Sequence, residues 1–185
     1  MDSANKRWLI LLLFILVGCG GMMDDLAPSG SDKRPLVQCG ITGPSVCQYA
    51  PDFTLFDTQG NSVTLLSEIT TTNRSGIVIY FTMWCPYCDS DMTEIRDRFI
   101  PSYPNVRFYA VDYVSGSVAA AANAELANGY SGSGFGVLAD TQHAVQNLYQ
   151  ATMQTTIVID KTGVILMNEG YKDGKRLQTA LAALP

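Results

Sequence analysis

Two cysteines separated by two residues, Cys85 and Cys88, are the side chains best suited to chemistry in this 185-residue chain. Thiolates are the nucleophiles of disulfide exchange, and in Cys-x-x-Cys motifs at helix starts the cysteine pKa falls from about 8.5 to roughly 3.5–7.5. Pro86 suits a first helical turn. Cys85 would therefore lie at a helix N-terminus, where free N–H groups and the dipole stabilise a thiolate. The spacing predicts that Cys85 attacks a disulfide and that Cys88 resolves the mixed intermediate.

The flanking residues predict how this pair is positioned. The apolar run Ile77–Phe81 is typical of a strand buried on both faces of a sheet. Met92, Ile95 and Phe99 then recur at spacings of three and four, which indicates an amphipathic helix to about Ile100. The pair thus falls at a strand-to-helix junction, which is an exposed edge.

Other uses of a close cysteine pair are less well supported. A structural disulfide between Cys85 and Cys88 would close too small a loop to stabilise the fold much. A zinc site would need a second Cys or His pair, and His143 is the single histidine. These considerations favour a redox pair.

The N-terminus predicts export and lipidation. Lys6 and Arg7 precede an apolar run over 8–17, so residues 1–18 are predicted to be a signal peptide, too short to span a bilayer. The run ends in Gly18-Cys19, which resembles the lipobox of bacterial lipoproteins, in which the cysteine is acylated and anchors the mature chain. The residue after Cys19 is Gly20 and not aspartate, which resembles the sorting signal of lipoproteins in the outer membrane. The alternative is an ordinary signal peptide with an incidental Cys19.

An exported chain would fold in an oxidising compartment, where disulfides persist. Of the five cysteines, Cys39 and Cys47 remain unassigned, and glycine and proline between them permit a tight return. We expect a structural disulfide, with a second redox pair as the alternative. Residues 19–48 are predicted to be a flexible tether and residues 49–185 one domain. The net charge of −5 and the lack of a basic patch exclude a nucleic-acid partner.

The remaining pattern predicts alternating strands and helices. The predicted elements are a hairpin over 50–66, a strand over 106–112, a helix over 118–128, a strand over 136–139, a helix from 140 to 149, a hairpin over 155–167 and a helix over 174–184. This order predicts an α/β fold with a central mixed sheet, helices on both faces and an N-terminal β-hairpin extension.

On three motifs, the chain resembles the thioredoxin superfamily and, within it, the TlpA/redoxin-like thiol-disulfide oxidoreductases. The motifs are residues 50–55, Trp84-Cys85-Pro86-Tyr87-Cys88 and residues 155–163. The resemblance implies a thioredoxin-like fold, a Cys85 nucleophile and a resolving Cys88. It also implies a set of active-site neighbours: Trp84, Pro86, Tyr87, Met153, Gln154 and Thr155.

Two positions depart from the family pattern. Gln154 stands where relatives carry a cis-proline, and because a cis bond without proline costs about 2.5–4 kcal/mol, the Met153–Gln154 bond is predicted to be trans. Ile79 stands where thioredoxins carry a buried acid. Glu68 and Glu125 are candidate proton acceptors that the sequence does not rank.

Two other family resemblances give alternatives. A likeness to SCO-type copper chaperones would make Cys85, Cys88 and His143 metal ligands, and Met83 and Met153 also suit Cu(I). SCO proteins, however, space their cysteines by three residues. A peroxiredoxin would place a threonine at Thr82, as here, but a proline where Val78 stands.

The sequence thus predicts an exported, lipid-anchored thiol-disulfide oxidoreductase in a bacterial cell envelope, at the outer membrane and facing the periplasm. The expected partners are protein thiols or disulfides and an upstream thiol reductant or oxidant, with the membrane bound through Cys19. No cofactor is expected, since the cysteines carry the electrons; Cu(I) belongs to the alternative. The direction of electron transfer stays open.

Overall fold

The computed structural model describes residues 37–71 and 73–185, and these residues form one seven-stranded sheet. Its strands are β1 (Thr54–Asp57), β2 (Ser62–Thr64), β3 (Gly76–Thr82), β4 (Val106–Asp112), β5 (Phe135–Ala139), β6 (Thr155–Asp160) and β7 (Ile165–Gly170). The strand order is β2-β1-β5-β4-β3-β6-β7. Strands β3, β4 and β5 are parallel, and the other pairings are antiparallel. The predicted mixed sheet and its N-terminal hairpin are confirmed.

Helices cover both faces of the sheet. They are α1 (Leu65–Ile69), α2 (Pro86–Glu94), α3 (Val118–Ala127), α4 (Ala144–Leu148) and α5 (Lys175–Ala182). Residues of α2 and α5 pack in one apolar cluster with Val78 of β3. Residues of α1 and α4 pack in a second cluster with Ile77 and Ile79, which point to the opposite side because strand residues alternate. The predicted α/β class is therefore confirmed.

Strand β3 lies in the middle of the sheet, and all seven of its residues are buried. Its first residue must be glycine, because a Cβ on Gly76 would lie 2.6 Å from the carbonyl oxygen of Ile159. In the parallel register with β4, Thr82 pairs with Asp112. The carboxyl ends of β3 and β4 therefore meet at one edge of the sheet, where the cysteine pair follows.

Two local elements differ from the sequence-based expectation. Residues Leu65 and Leu66 begin α1 instead of ending a strand, because the distant carboxylate of Asp52 accepts the backbone N–H of Leu66 at 2.9 Å and caps the helix. The long helix from Pro86 changes to a π-helical turn over Ile95–Phe99 before a last turn over Ile100–Ser102. Pro101 has no N–H to donate, which accounts for the disturbed hydrogen bonding there.

The segment before β1 is joined to the edge of β7. Cys39 and Cys47 form a disulfide. The N–H of Cys47 donates to the carbonyl of Ile165 at 2.9 Å, and the N–H of Ile165 donates to the carbonyl of Gln48 at 2.9 Å. These backbone bonds join residues 47 and 48 to the first residue of β7. We call residues 37–49 the N-terminal clip.

The N-terminal expectations fall mainly outside the described residues. The predicted signal peptide over 1–18, Cys19 and most of the predicted tether lie there. Within 37–71 and 73–185, no helix has the length and hydrophobicity needed to cross a membrane.

Candidate active site

Cys85 is held at the start of α2 by the backbone of the helix. It is the N-cap residue, with extended backbone angles, and Pro86 is the first helical residue. Its Sγ accepts the N–H of Cys88 at 3.2 Å, and its carbonyl accepts the N–H of Asp89 at 2.9 Å. The N-terminal turn therefore directs a hydrogen-bond donor at the sulfur of Cys85, which favours the thiolate.

The two sulfurs lie together but differ in exposure. Their Sγ atoms are 2.7 Å apart, and both cysteines are free thiols. Cys85 is half-buried, whereas Cys88 has no exposed surface. A molecule in solution can therefore reach Cys85, while Cys88 is placed to react with whatever is bonded to Cys85.

The surroundings move the two thiol pKa values in opposite directions. Partial desolvation alone would raise the pKa of Cys85, but hydrogen bonds from the Cys88 thiol and from the Cys88 and Tyr87 backbone N–H groups lower it overall. Burial raises the pKa of Cys88, and its hydrogen bond to Cys85 raises it further. The exposed sulfur is thus the one that ionises first.

A buried carboxyl group, on Asp91, lies behind the pair. Oδ2 of Asp91 accepts the hydroxyl of Tyr80 at 2.9 Å and the carboxamide N–H of Gln154 at 2.7 Å. Burial raises the pKa of Asp91, and these two donors partly oppose the rise. Burial, then the charges of Asp91 and Cys88, raise the pKa of Tyr80. The Tyr80 hydroxyl is therefore bonded to the acid within the buried cluster that also contains the resolving Cys88.

Sequence reasoning did not identify Asp91 as part of the site. Its side chain is 9 % exposed. A signal was present, because Asp91 follows Cys88 by three residues and precedes Ile95 by four, and such residues share one helix face. The two candidate acids that the sequence suggested are engaged elsewhere: Glu68 pairs with Arg74 at 3.2 Å, and Glu125 accepts the hydroxyl of Thr58.

The loop before β6 brings Met153 and Gln154 to the pair. The Sδ of Met153 lies 3.3 Å from the Sγ of Cys85 and accepts its S–H. The Met153–Gln154 bond is trans, as the sequence predicts, and Gln154 has φ of +67°. Gln154 is fixed by its N–H, which donates to the carbonyl of Phe81 at 3.0 Å, and by its carbonyl, which accepts the N–H of Tyr171 at 2.8 Å.

Trp84 is oriented by a buried acid at the end of β4. Its indole N–H donates to Oδ2 of Asp112 at 2.7 Å, and its ring centroid lies 6.1 Å from that of Tyr130. Asp112 is 2 % exposed and also accepts the N–H groups of Val114 and Ser115. Trp84 is thereby held beside Cys85 despite its positive φ of +56°.

The other predicted neighbours take varied positions. Pro86 begins α2, and Tyr87 is 72 % exposed on its first turn. Thr155 is buried at the start of β6, and its hydroxyl accepts the N–H of Thr152 at 2.9 Å. His143 is the N-cap of α4, and its Nδ1 lies 2.7 Å from Oε1 of Gln146.

The described residues do not assemble the metal site of the copper alternative. Across 37–71 and 73–185, no cluster of three or more His, Cys, Asp or Glu side chains is arranged to hold a metal ion. His143 is therefore not grouped with Cys85 and Cys88.

Comparison with known proteins places this chain in a family. Residues 46–167 match the AhpC/TSA family. No curated protein matches the chain. Among solved structures, DsbF from MTB is 23 % identical with a TM-score of 0.59, covering 72 % of this chain and 95 % of that one.

Two further solved structures have the same fold. The exposed lipoprotein thioredoxin Etrx1 of Streptococcus pneumoniae is 20 % identical with a TM-score of 0.55, covering 72 % of this chain and 100 % of that one. The thiol peroxidase of Chromobacterium violaceum is 18 % identical with a TM-score of 0.59, covering 78 % and 90 %. The predicted thioredoxin-like fold is confirmed.

Proposed function

Because the chain belongs to the AhpC/TSA family and is a thioredoxin-like oxidoreductase, we propose that it exchanges disulfides with protein substrates through Cys85 and Cys88. One observation carries the proposal. A half-exposed thiol of lowered pKa caps a helix, and a buried thiol lies 2.7 Å behind it. This arrangement separates the attacking sulfur from the resolving one.

The reaction balances without a cofactor. The Cys85 thiolate attacks one sulfur of a substrate disulfide, and the other sulfur leaves as a thiolate that takes a proton. Cys88 then loses its proton and attacks the Cys85 sulfur of the mixed disulfide, which releases the second substrate thiol. The substrate gains two electrons and two protons, and a Cys85–Cys88 disulfide remains for an upstream thiol reductant to reduce. An oxidant partner would drive the same steps in reverse.

Asp91 and Tyr80 supply a route for the proton of Cys88. That thiol is buried and its pKa is raised, so water alone is a poor acceptor. The Tyr80 hydroxyl donates to Asp91, and Tyr80 packs in the same buried cluster as Cys88. A carboxyl group whose pKa is raised by burial holds a proton more readily than an exposed one. We assign to Asp91 the role of proton acceptor for Cys88. The family resemblance would place a buried acid for this role at the position of Ile79.

The cell envelope is the proposed location. The supporting sequence features are the apolar run within residues 1–18, which is predicted to be a signal peptide, and the end of that run at Cys19, which resembles a lipobox. The Cys39–Cys47 disulfide also fits an oxidising compartment. The proposal is an outer-membrane anchor that leaves residues 37–185 facing the periplasm. Labelling with a palmitate analogue should mark the wild-type protein and leave Cys19→Ser unlabelled and soluble; equal labelling of both would reject the anchor.

The exchange activity is tested with insulin and trapping. The wild-type protein should reduce insulin disulfides with dithiothreitol, and Cys85→Ser should lose this activity. Cys88→Ser should accumulate a mixed disulfide between Cys85 and its substrate, because the resolving sulfur is absent. Normal insulin reduction by Cys85→Ser would reject the assignment. Hydrogen peroxide consumption that depends on Cys85, without insulin reduction, would favour the peroxidase alternative.

A further inference from the structure

Three sulfur atoms from two separate elements meet at the active site. Cys85 and Cys88 come from the start of α2, and Met153 comes from the loop before β6. The Cys85 Sγ is 2.7 Å from the Cys88 Sγ and 3.3 Å from the Met153 Sδ. Disulfide exchange uses two of these sulfurs and gives the third no part in bond making.

We propose that the reduced site binds one Cu(I) ion through the thiolates of Cys85 and Cys88 and the thioether of Met153. Thiolate and thioether ligands are soft and select Cu(I) over harder ions. This ligand set differs from the Cys85, Cys88 and His143 set considered from the sequence, because a thioether replaces the imidazole. The inference goes beyond the proposed function, since it requires only the reduced cysteines.

The loop presents Met153 in a fixed position. The next residue, Gln154, is held by backbone hydrogen bonds to Phe81 and Tyr171 and by its carboxamide bond to Asp91. Its φ of +67° is uncommon for a residue other than glycine, and such backbone conformations persist when surrounding contacts fix them. Three anchoring bonds therefore hold the residue beside the thioether.

The site is open on one side. Cys85 and Met153 are each half-buried, whereas Cys88 is buried. An ion can therefore arrive from solvent at Cys85 and Met153.

Binding involves no change in oxidation state. Each thiol that becomes a ligand releases one proton, and its lone pair goes to the metal, which stays Cu(I). The same sulfur electrons would otherwise form the disulfide. Cu(I) binding and disulfide formation therefore exclude each other, so a bound ion would hold the site reduced and stop exchange.

The test measures Cu(I) transfer from its bicinchoninate complex to the reduced full-length protein in detergent, without oxygen. All samples carry Cys39→Ser and Cys47→Ser, so that the clip contributes no thiols. This parent should take up one equivalent of Cu(I), and a further Cys85→Ser/Cys88→Ser change should abolish that uptake. Because loss of even an outer-shell partner weakens metal binding by about 10–100-fold, Met153→Leu should weaken it by at least about tenfold.

Met83→Leu is the matched control. Met83 is close in sequence to the pair and 42 % exposed, so its replacement should leave the Cu(I) affinity unchanged. X-ray absorption at the copper edge provides a second readout and should give three sulfur neighbours in the parent and two in Met153→Leu.

Several outcomes would overturn the inference. These are no cysteine-dependent uptake, an unchanged affinity in Met153→Leu, or two sulfur neighbours in the parent. A protein that binds Cu(I) in this Met153-dependent manner but fails the insulin and trapping tests would retain the metal site and lose the proposed function. The two proposals can therefore fail separately.

Discussion

The carboxamide nitrogen of Gln154 donates to Oδ2 of Asp91 across 2.7 Å. This bond joins the loop before β6 to helix α2 beneath the cysteine pair. A proline, which the family resemblance would place at this position, could not make this bond, because proline has no amide side chain. Glutamine at position 154 thus couples the loop to the buried acid.

We first predict that Gln154→Pro destabilises the protein more than Gln154→Gly. Proline requires φ near −65° and removes the N–H that donates to Phe81, whereas Gln154 has φ of +67°. The cost should exceed about 1 kcal/mol, since incompatible prolines destabilise by more than compatible ones stabilise. Glycine accepts the backbone angle and loses only the carboxamide. Denaturant unfolding measures both, and equal stability of the two variants would contradict the prediction.

The second prediction concerns the pH dependence of the thiols. Alkylation of reduced wild-type protein by iodoacetamide, followed by mass spectrometry of each cysteine, should give a midpoint for Cys85 below the ordinary value of about 8.5 and a higher midpoint for Cys88. Cys88→Ala should raise the Cys85 midpoint, because the thiol hydrogen bond is lost. An unchanged midpoint would mean that the backbone N–H groups alone set the pKa.

Third, Tyr80→Phe should lower the free energy of unfolding by about 1–3 kcal/mol, because the buried carboxyl group of Asp91 loses one of its two hydrogen-bond donors. Tyr171→Phe is the matched control. Its hydroxyl donates to Glu94, which is partly exposed and also paired with Arg98, so we expect a cost of only about 0.5–1.5 kcal/mol. Equal losses of unfolding free energy in the two variants would show that the buried Tyr80 hydroxyl stabilises the fold no more than the Tyr171 hydroxyl does.

Fourth, the stability difference between wild type and Asp91→Asn should depend on pH. Burial raises the pKa of Asp91 in the folded protein above its unfolded value of about 3.9. The folded state then binds the proton more tightly than the unfolded state. The contribution of Asp91 to the free energy of unfolding is fully present below about pH 3.9 and is lost as the pH rises through the pKa of Asp91 in the folded protein. The free energy of unfolding of Asp91→Asn should therefore rise relative to that of wild type as the pH increases from about 4 to 7. Urea-unfolding midpoints of the two proteins that change in parallel over this range would refute the prediction.

The fifth prediction separates the clip from the active site. In a chain-entropy estimate, opening the disulfide with Cys39→Ser/Cys47→Ser should cost about 2–3 kcal/mol of unfolding free energy for a loop of this size. The alkylation midpoint of Cys85 should stay at the wild-type value. A shifted midpoint, or lost insulin reduction at a temperature where the variant is folded, would favour the alternative of a second redox pair.

Local patterns predicted most of the fold. The apolar run of β3 and the periodicity of α2 were sufficient to place the cysteine pair at a junction, because both signals depend on near neighbours in the sequence. Helix α1 was missed because its cap, Asp52, lies 14 residues before the N–H that it accepts. No local rule could supply that partner.

In the candidate site too, features set by neighbouring residues were predicted and contacts between distant residues were not. The spacing of Cys85 and Cys88 predicted a close pair, but the burial of Asp91 depends on how α2 lies against β3 and on Gln154, 63 residues away. The thioether contact of Met153 with Cys85 likewise joins residues 68 apart. Such contacts become visible only when the sheet has brought its elements together.

The N-terminal clip also has a mechanical consequence. If the chain is tethered to a membrane, a pull on its N-terminus reaches the covalent Cys39–Cys47 crosslink before it reaches the sheet. The load passes to residues 47–49, which are hydrogen-bonded along β7. Local unfolding that starts at Val37 would stop at the crosslink. Movement of the anchor would therefore leave the edge of the sheet that carries Cys85 and Cys88 undisturbed.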